Sequence, residues 1–370
     1  MKGIPEYSEK KKKAAIVTII SKNYGNRLQN YALQEVLKKL GLTVFTIPYQ
    51  TPYGRVLKER IKLLLIFLLP YFRKRWVWEA FNRRYIHGAI KKPEDRALNE
   101  EYDYFIAGSD QIWNPLFWIN SEREFLTAYD QEKRIAYAAS VGIDEFPEKH
   151  KESYRRYLTG IPSISVREEQ AAKLVYGLIG RSVPVVLDPT MLLTGEEWEG
   201  LIHSGKRRHQ GRYVVKYILG RRSEEMDQYI ETRAAEEGLE VLDLLDDKGF
   251  ARWGMGPLDF VGHIANSERT YIDSFHGAVF SILFSKPFVV FERPYEEGAG
   301  LMTSRLDTLL STFRLQDRMV KDLAQLKSID RGCDFSGVEE LLLRKRKEAL
   351  DYLRQALKLE EGKSLEAGKS

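Results

Sequence analysis

A histidine stands where a strand hands over to a helix. In Thr270-Tyr-Ile-Asp-Ser-Phe-His-Gly-Ala-Val-Phe-Ser-Ile-Leu-Phe-Ser-Lys-Pro-Phe-Val-Val-Phe291 the pattern predicts a strand ending at Asp273, a helix opening around Ser274 and a second strand at Phe288–Phe291. His276 then sits in the first turn of a helix at the carboxyl end of a strand, the edge at which open α/β sheets bind ligands. Free N–H groups and the positive dipole end suit that edge to an anion. A histidine there can give or take a proton near neutral pH. The same residues also serve plain structure, since polar residues cap helices and histidines fill cores.

Three further loops concentrate polar groups at strand ends. Asn23-Tyr-Gly-Asn26 precedes the first predicted helix, and Gly25 would permit a positive φ or a close backbone approach to a ligand. It is not a GxGxxG, so alone it does not specify phosphate binding. Gly108-Ser-Asp-Gln-Ile-Trp-Asn114 follows a predicted strand and reads either as a ligand rim or as a turn in which Asp110 caps a helix. Ile164-Ser-Val-Arg-Glu-Glu169 places Arg167 at a strand end, where a guanidinium can hold carboxylate or phosphate at two points or simply pair with Glu168 or Glu169.

The elements that must carry these loops follow an α/β pattern. Residues 14–20 read as a buried parallel strand, and Leu28, Ala32, Leu33, Val36, Leu37 and Leu40 recur at helical spacing before Gly41 stops the helix. Strands are expected at Thr43–Ile47, Tyr104–Ala107, Arg134–Ala139, Ser163–Val166 and Val183–Leu187. The pattern restarts with a strand at Tyr213–Leu219, a helix at Ser223–Gly238, a strand at Glu240–Leu245 and a helix at Pro257–Asn266. There is no internal sequence repeat. The prediction is two Rossmann-like domains facing across a cleft, residues 1–190 and 191–335, with a charged helix and tail over 336–370.

Size and composition agree. A chain of 370 residues exceeds one ordinary core, and 43% apolar with 30% charged residues is a folded, water-compatible composition. A net charge of +5 favours anionic small molecules or an acidic membrane surface. No basic stripe interleaved with aromatics points to nucleic acid. Cys333 is the single cysteine, so neither an internal disulfide nor a cysteine-rich zinc site is available. Lys10–Lys13 followed only by Ala14–Ile20 do not form a signal peptide, so a cytoplasmic protein is expected. The apolar segment 61–72 lies between basic clusters and is shorter than the roughly 20 residues a spanning helix needs. It is either buried in its own domain or a peripheral contact with the inner face of the membrane.

Five segments occur in a fixed order: Asn23-Tyr-Gly-Asn-Arg-Leu-Gln-Asn-Tyr-Ala-Leu33, Gly108-Ser-Asp-Gln-Ile-Trp-Asn114, Ala136-Tyr-Ala-Ala-Ser-Val-Gly142, Ser165-Val-Arg-Glu168 and Asp273-Ser-Phe-His-Gly277. With them, and with further matches at Leu187-Asp-Pro189 and Ser304-Arg-Leu306, the chain resembles the polysaccharide pyruvyl transferase family from about residue 14 to residue 330. The resemblance implies a GT-B-like fold. It also implies transfer of the enolpyruvyl skeleton of phosphoenolpyruvate onto a sugar as a ketal, with release of phosphate, in synthesis of a cell-surface polysaccharide or exopolysaccharide. The acceptor would be a sugar, free or lipid-linked.

In that family the histidine of the second-domain motif and the arginine of Ser-Val-Arg-Glu belong to the donor site. Those roles map onto His276 and Arg167, with Ser274, Gly277 and Arg305 as donor-binding candidates. The first domain would face the acceptor, with Asn23, Gly25, Asn26, Ser109, Asp110 and Gln111 as cleft candidates. Established members often carry Arg-Leu-His where this chain has Ser274-Phe275-His276, and Arg305 is the candidate for supplying the missing charge. No cofactor and no metal are expected; there is no HExxH, and Asp246-Asp247 reads as a solvated turn. Two other readings stay open from sequence: a nucleotide-sugar glycosyltransferase of the same architecture, and a non-catalytic glycan-binding or assembly protein.

Overall fold

The computed structural model describes residues 11–20, 23–47, 70–88, 96–116, 122–203, 211–221, 223–246, 254–293, 304–329 and 332–359. The first half runs β1 (Lys13–Val17), α1 (Tyr24–Lys39), β2 (Thr43–Thr46), α2 (Pro70–Tyr85), α3 (Leu98–Glu101), β3 (Tyr104–Ala107), β4 (Arg134–Ala139), α4 (Glu148–Thr159), β5 (Ser163–Val166) and α5 (Glu169–Ile179). After α6 (Gly195–His203) come β6 (Tyr213–Tyr217), α7 (Glu224–Glu236), β7 (Glu240–Asp243), α8 (Pro257–Asn266), β8 (Arg269–Ile272), α9 (Phe275–Leu283) and β9 (Phe288–Phe291). The chain then continues through α10 (Ser304–Thr312), β10 (Met319–Val320), α11 (Leu323–Ile329) and α12 (Val338–Ala356).

Two five-stranded sheets result, ordered β2-β1-β3-β4-β5 and β10-β9-β8-β6-β7. Every pairing is parallel. Counted from its own first strand, the second sheet repeats the order of the first, so the topology is duplicated although the sequence is not. The chain therefore holds two Rossmann-like domains in a GT-B-like arrangement. In each, the strand order reverses beside the first strand, between β1 and β3 and between β6 and β8, and ligands bind beyond the carboxyl ends at such points. The loops leaving β1, β3 and β8 carry the Asn23, Gly108 and Asp273 motifs.

One hydrophobic core joins the two sheets. It includes Ile16 and Ile106 of the first, Val215, Ile272 and Val290 of the second, and Leu28, Met191, Trp198, Phe260 and Phe280 between them. Tyr24 is sandwiched there, stacked on Phe260 with centroids 4.9 Å apart and on Trp78 at 5.2 Å. The long α12 returns to the first domain. Tyr352 donates to the Ala136 carbonyl at 2.8 Å, and Arg346 donates to the carbonyls of Met191 (2.6 Å) and Leu193 (2.8 Å). No helix among the described residues is long and apolar enough to cross a membrane.

Several local expectations are corrected. Val183–Leu187 is not a strand; only a single bridge joins Val185 to Val166, because the flanking Pro184 lacks a donor and Pro189 ends the path. β1 stops at Val17, since Thr18 and Ile19 turn to accept side-chain bonds from Gln29 (2.9 Å) and Arg27 (2.7 Å). Tyr24, Gly25 and Asn26 do not precede the first helix but form its first turn, capped by Asn23, whose side chain accepts from the Asn26 N–H at 3.3 Å. Asp110 caps no helix. It sits at φ 73° and accepts from its neighbour, the Gln111 N–H, at 2.9 Å. Residues 61–69 of the apolar segment, Asp247 and the tail from 360 lie outside the described residues, while 70–72 open α2.

Candidate active site

The site is built where the two reversal points face each other. α9 starts at Ser274, whose hydroxyl accepts from the Gly277 N–H at 3.4 Å, and this sets His276 in the first turn. Asp273 pins the strand end beneath it. Its carboxylate accepts from the Leu219 and Gly220 N–H groups (2.8 and 2.7 Å) and from Arg293 Nε (2.9 Å). Gly277 packs on Ile272, 3.1 Å from where a Cβ would lie, so its missing side chain lets helix and strand approach closely. The imidazole of His276 projects to the other domain and lies against Gly25 in α1.

From the first domain, Arg167 leaves β5 almost fully buried, with its guanidinium 4.3 Å above the ring of Phe275. Arg167 Nη1 donates to Asp188 Oδ2 at 2.6 Å, and Nη2 stands 3.7 Å from Asp110 Oδ1. The same Asp188 oxygen accepts from Ser109 Oγ at 2.8 Å and lies 3.7 Å from His276 Nε2, an electrostatic contact too long for a hydrogen bond. Asp110 also accepts from Asn26 Nδ2 at 3.1 Å. Arg305, in the first turn of α10, reaches the site as well, and its Nη1 and Nη2 each lie 2.9 Å from the side-chain amide of Gln111. Glu168 braces the loop after β4, accepting from Ser140 Oγ (2.9 Å) and the Val141 N–H (2.8 Å).

The electrostatics follow from this crowding. Burial alone would raise the Asp188 carboxyl, but His276, Arg167 and the Thr190 donors outweigh it and hold the group well below the usual carboxylate range. Asp110 is lowered in the same way, against burial, by Arg167, His276, Arg305 and Asn26. Burial pushes Arg167 down, yet Asp188, Asp110 and Glu168 more than reverse it. Arg305 is not fully compensated: burial, then the like charge of Arg167, push it down to about 10 against the weaker pull of Glu168 and Asp110. Arg167 Nε and Nη2, Arg305 Nε and His276 Nε2 are buried without a hydrogen-bond partner. Unpaired donors clustered at a helix N-terminus can seat an anion with carboxylate or phosphate oxygens.

The structure thus brings together His276, Arg167, Ser109, Asp110, Gln111, Asn26 and Arg305, with Gly25 as spacing. Asn23 and Ser274 act as helix caps, and Asn23 is exposed. No individual role for Asp188 or Asp273 follows from sequence, though each ends a strand-like run inside a quoted motif, Leu187-Asp-Pro189 and Asp273-Ser-Phe-His-Gly277. A groove of about 310 Å³ along α10, lined by residues such as Glu169, Asp307, Thr308 and Gln316, contains none of these groups.

Paired Rossmann-like domains with a buried cationic cluster between their strand ends define a GT-B-like architecture. The model of the family described as polysaccharide pyruvyl transferase matches residues 23–294, and the chain belongs to that family, which is a family of transferases. The family implies a donor and a sugar acceptor. No curated protein matches the chain in sequence. Among solved structures, UDP-GlcNAc 2-epimerase from Neisseria meningitidis bound to UDP-GlcNAc is similar at TM-score 0.49 and 12% identity, over 94% of this chain and 98% of that one. A putative UDP-N-acetylglucosamine 2-epimerase from Listeria monocytogenes follows at 0.47 and 13%, over 94% and 91%. The glycosyltransferase SnogD from Streptomyces nogalater stands at 0.43 and 14%, over 95% and 99%.

Proposed function

We propose that the protein forms a pyruvate ketal on a sugar of a cell-surface polysaccharide or its precursor, taking phosphoenolpyruvate as donor and releasing phosphate. The observation that carries this reading is the set of unpartnered buried donors on Arg167, Arg305 and His276 at the N-terminus of α9. A small donor bearing both a carboxylate and a phosphate matches that set. Arg167 Nε and Nη2 and the guanidinium of Arg305 hold its anionic groups, and the first-turn N–H groups of α9 take part of the phosphate charge.

In the reaction two sugar hydroxyls add to C2 of the enol phosphate, the C2–O bond to phosphate breaks, and the methylene carbon gains a proton to become methyl. Of the two hydroxyl protons, one is balanced by that methyl and the other leaves with phosphate. His276 moves a proton as general acid or base, and Arg167 stabilises charge as phosphate departs. Asp110, the more open of the two site aspartates with its side chain 17% exposed, orients an acceptor hydroxyl.

Calorimetric titration with phosphoenolpyruvate, beside Arg167→Ala and His276→Ala, tests the reading, followed by an acceptor screen for phosphate release. Saturable binding abolished by Arg167→Ala, and release abolished by His276→Ala, are expected. Binding of a UDP- or GDP-sugar in place of phosphoenolpyruvate would overturn the proposal.

A further inference from the structure

Asp188 lies beyond α5, on the turn that opens residues 189–192, and it is 2% exposed. Its two oxygens have separate partners. Oδ1 accepts from the Thr190 N–H at 3.0 Å and from Thr190 Oγ1 at 2.7 Å, which fixes the carboxylate to its own turn. Oδ2 faces outward and gathers the site: Ser109 Oγ from the loop after β3, Arg167 Nη1 from the end of β5, and His276 Nε2 from α9 of the other domain.

We infer that Asp188 is a positioning residue of this site, holding Arg167 and His276 in one constellation across the two Rossmann-like domains; the inference rests on the function proposed above. A purely structural ion pair accounts for the contact between Arg167 and Asp188. It does not account for His276 Nε2, which has no hydrogen-bond partner and faces that same oxygen across the domain interface. Nor is Asp188 placed to touch donor or acceptor, because four hydrogen bonds already occupy its oxygens.

A consequence separates this role from its rivals. The carboxylate orients Arg167 but also competes electrostatically with any anion bound there. Asp188→Asn keeps the shape and removes the charge, so the anion should be held at least as well while the reacting groups lose their alignment. A residue needed only for folding would lose binding and turnover together. A donor contact would lose binding first.

The experiment uses the full chain with Asp188→Asn and Thr190→Val, and two readouts. Inorganic phosphate titrated by calorimetry needs no acceptor and no turnover, and phosphate release from phosphoenolpyruvate with an acceptor reads the reaction. For Asp188→Asn, phosphate affinity is expected to be unchanged or up to about tenfold tighter. Its kcat is expected to fall about 100-fold with little change in donor KM. Thr190→Val keeps the charge and removes one tether; it should lower kcat about tenfold at unchanged phosphate affinity, and it decides the matter if Asp188→Asn does not fold. Weaker phosphate binding in Asp188→Asn, or an unchanged kcat in the variants that fold, overturns the inference. Wild-type protein that binds phosphate but never releases it from phosphoenolpyruvate would overturn the proposed function instead, and the phosphate affinity of Asp188→Asn would still decide whether Asp188 opposes the anion.

Discussion

Gly25 and His276 meet across the two domains so closely that a Cβ on Gly25 would lie 1.9 Å from His276 Nδ1 and 2.3 Å from its Cγ. Gly25 belongs to the first turn of α1 and is not among the residues with positive φ. Its value is therefore the volume it leaves empty rather than backbone freedom. A glycine inside a helix costs about 0.5–1 kcal/mol relative to alanine, and here that cost accompanies a place for the imidazole.

Gly25→Ala follows as a sharp test. The helix itself would gain from alanine, but the methyl would have to displace the imidazole or push α1 away from α9. We expect a net destabilisation of about 1–3 kcal/mol from overpacking and a fall in turnover of about 100-fold as His276 is moved. Thermal unfolding and phosphate release on the same preparation check both. Full activity in Gly25→Ala would show that His276 need not occupy this position.

Much of the scaffold was legible because it is local. Tyr104–Ala107, Arg134–Ala139, Ser163–Val166 and Phe288–Phe291 form strands where apolar runs meet turn residues, and Pro257–Asn266 forms a helix as its pattern and Pro257 predict. Asn23, Tyr24, Gly25 and Asn26 have the composition of a loop, yet Tyr24, Gly25 and Asn26 are helical, with Asn23 capping them and Tyr24 stacked on Phe260 of the other domain. Val183–Leu187 has a strand's composition, yet Pro184 denies it a ladder. The sequence singles out Gly25 and Leu187-Asp-Pro189, but not the contacts that give Gly25 and Asp188 their roles. Asp188 acquires its partners from Ser109, 79 positions away, and from α9, while Gly25 answers to a ring brought to it only by the packing of the two domains.

Arg305 should show a trade between stability and binding. Burial and Arg167 push it down to about 10, so its charge is held unfavourably until an anion arrives. Arg305→Met removes that net cost, and the protein without ligand should be at least as stable as wild type. Phosphate affinity should fall about 10- to 100-fold with the loss of a charged hydrogen bond. Denaturant unfolding with and without phosphate checks this, and a variant that binds phosphate like wild type would remove Arg305 from the donor site.

The Asp188 carboxyl gives a pH dependence whose sign is fixed. Its folded-state value is depressed below that of the unfolded chain, about 3.9 for an aspartate. The unfolded chain therefore takes up a proton that the folded protein resists. The stabilisation is fully present above that value and is lost as pH falls toward the folded one. Asp188→Asn breaks a buried pair and should cost about 3–5 kcal/mol at neutral pH. Urea unfolding of both proteins from pH 7 downward should show that gap narrowing below about pH 4. A gap that stays constant, or widens in acid, would mean the carboxyl is not held low.

Tyr24 links the fold to the site. Its ring stacks at 10° to Phe260 and at 25° to Trp78, and the next residue is the glycine that receives His276. Tyr24→Ala would empty this sandwich at the joint between the domains and cost about 3–5 kcal/mol, as large aromatic truncations in cores do. Because one core runs through both sheets, unfolding should remain a single transition at a lower midpoint rather than split into two. The first turn of α1 would also lose the packing that sets its approach to α9, so turnover should fall by more than phosphate affinity, which depends on Arg167 and Arg305 elsewhere in the site. Calorimetric unfolding together with phosphate titration measures both effects. Two resolved transitions in the variant would show that the sheets fold independently and that Tyr24 holds them together.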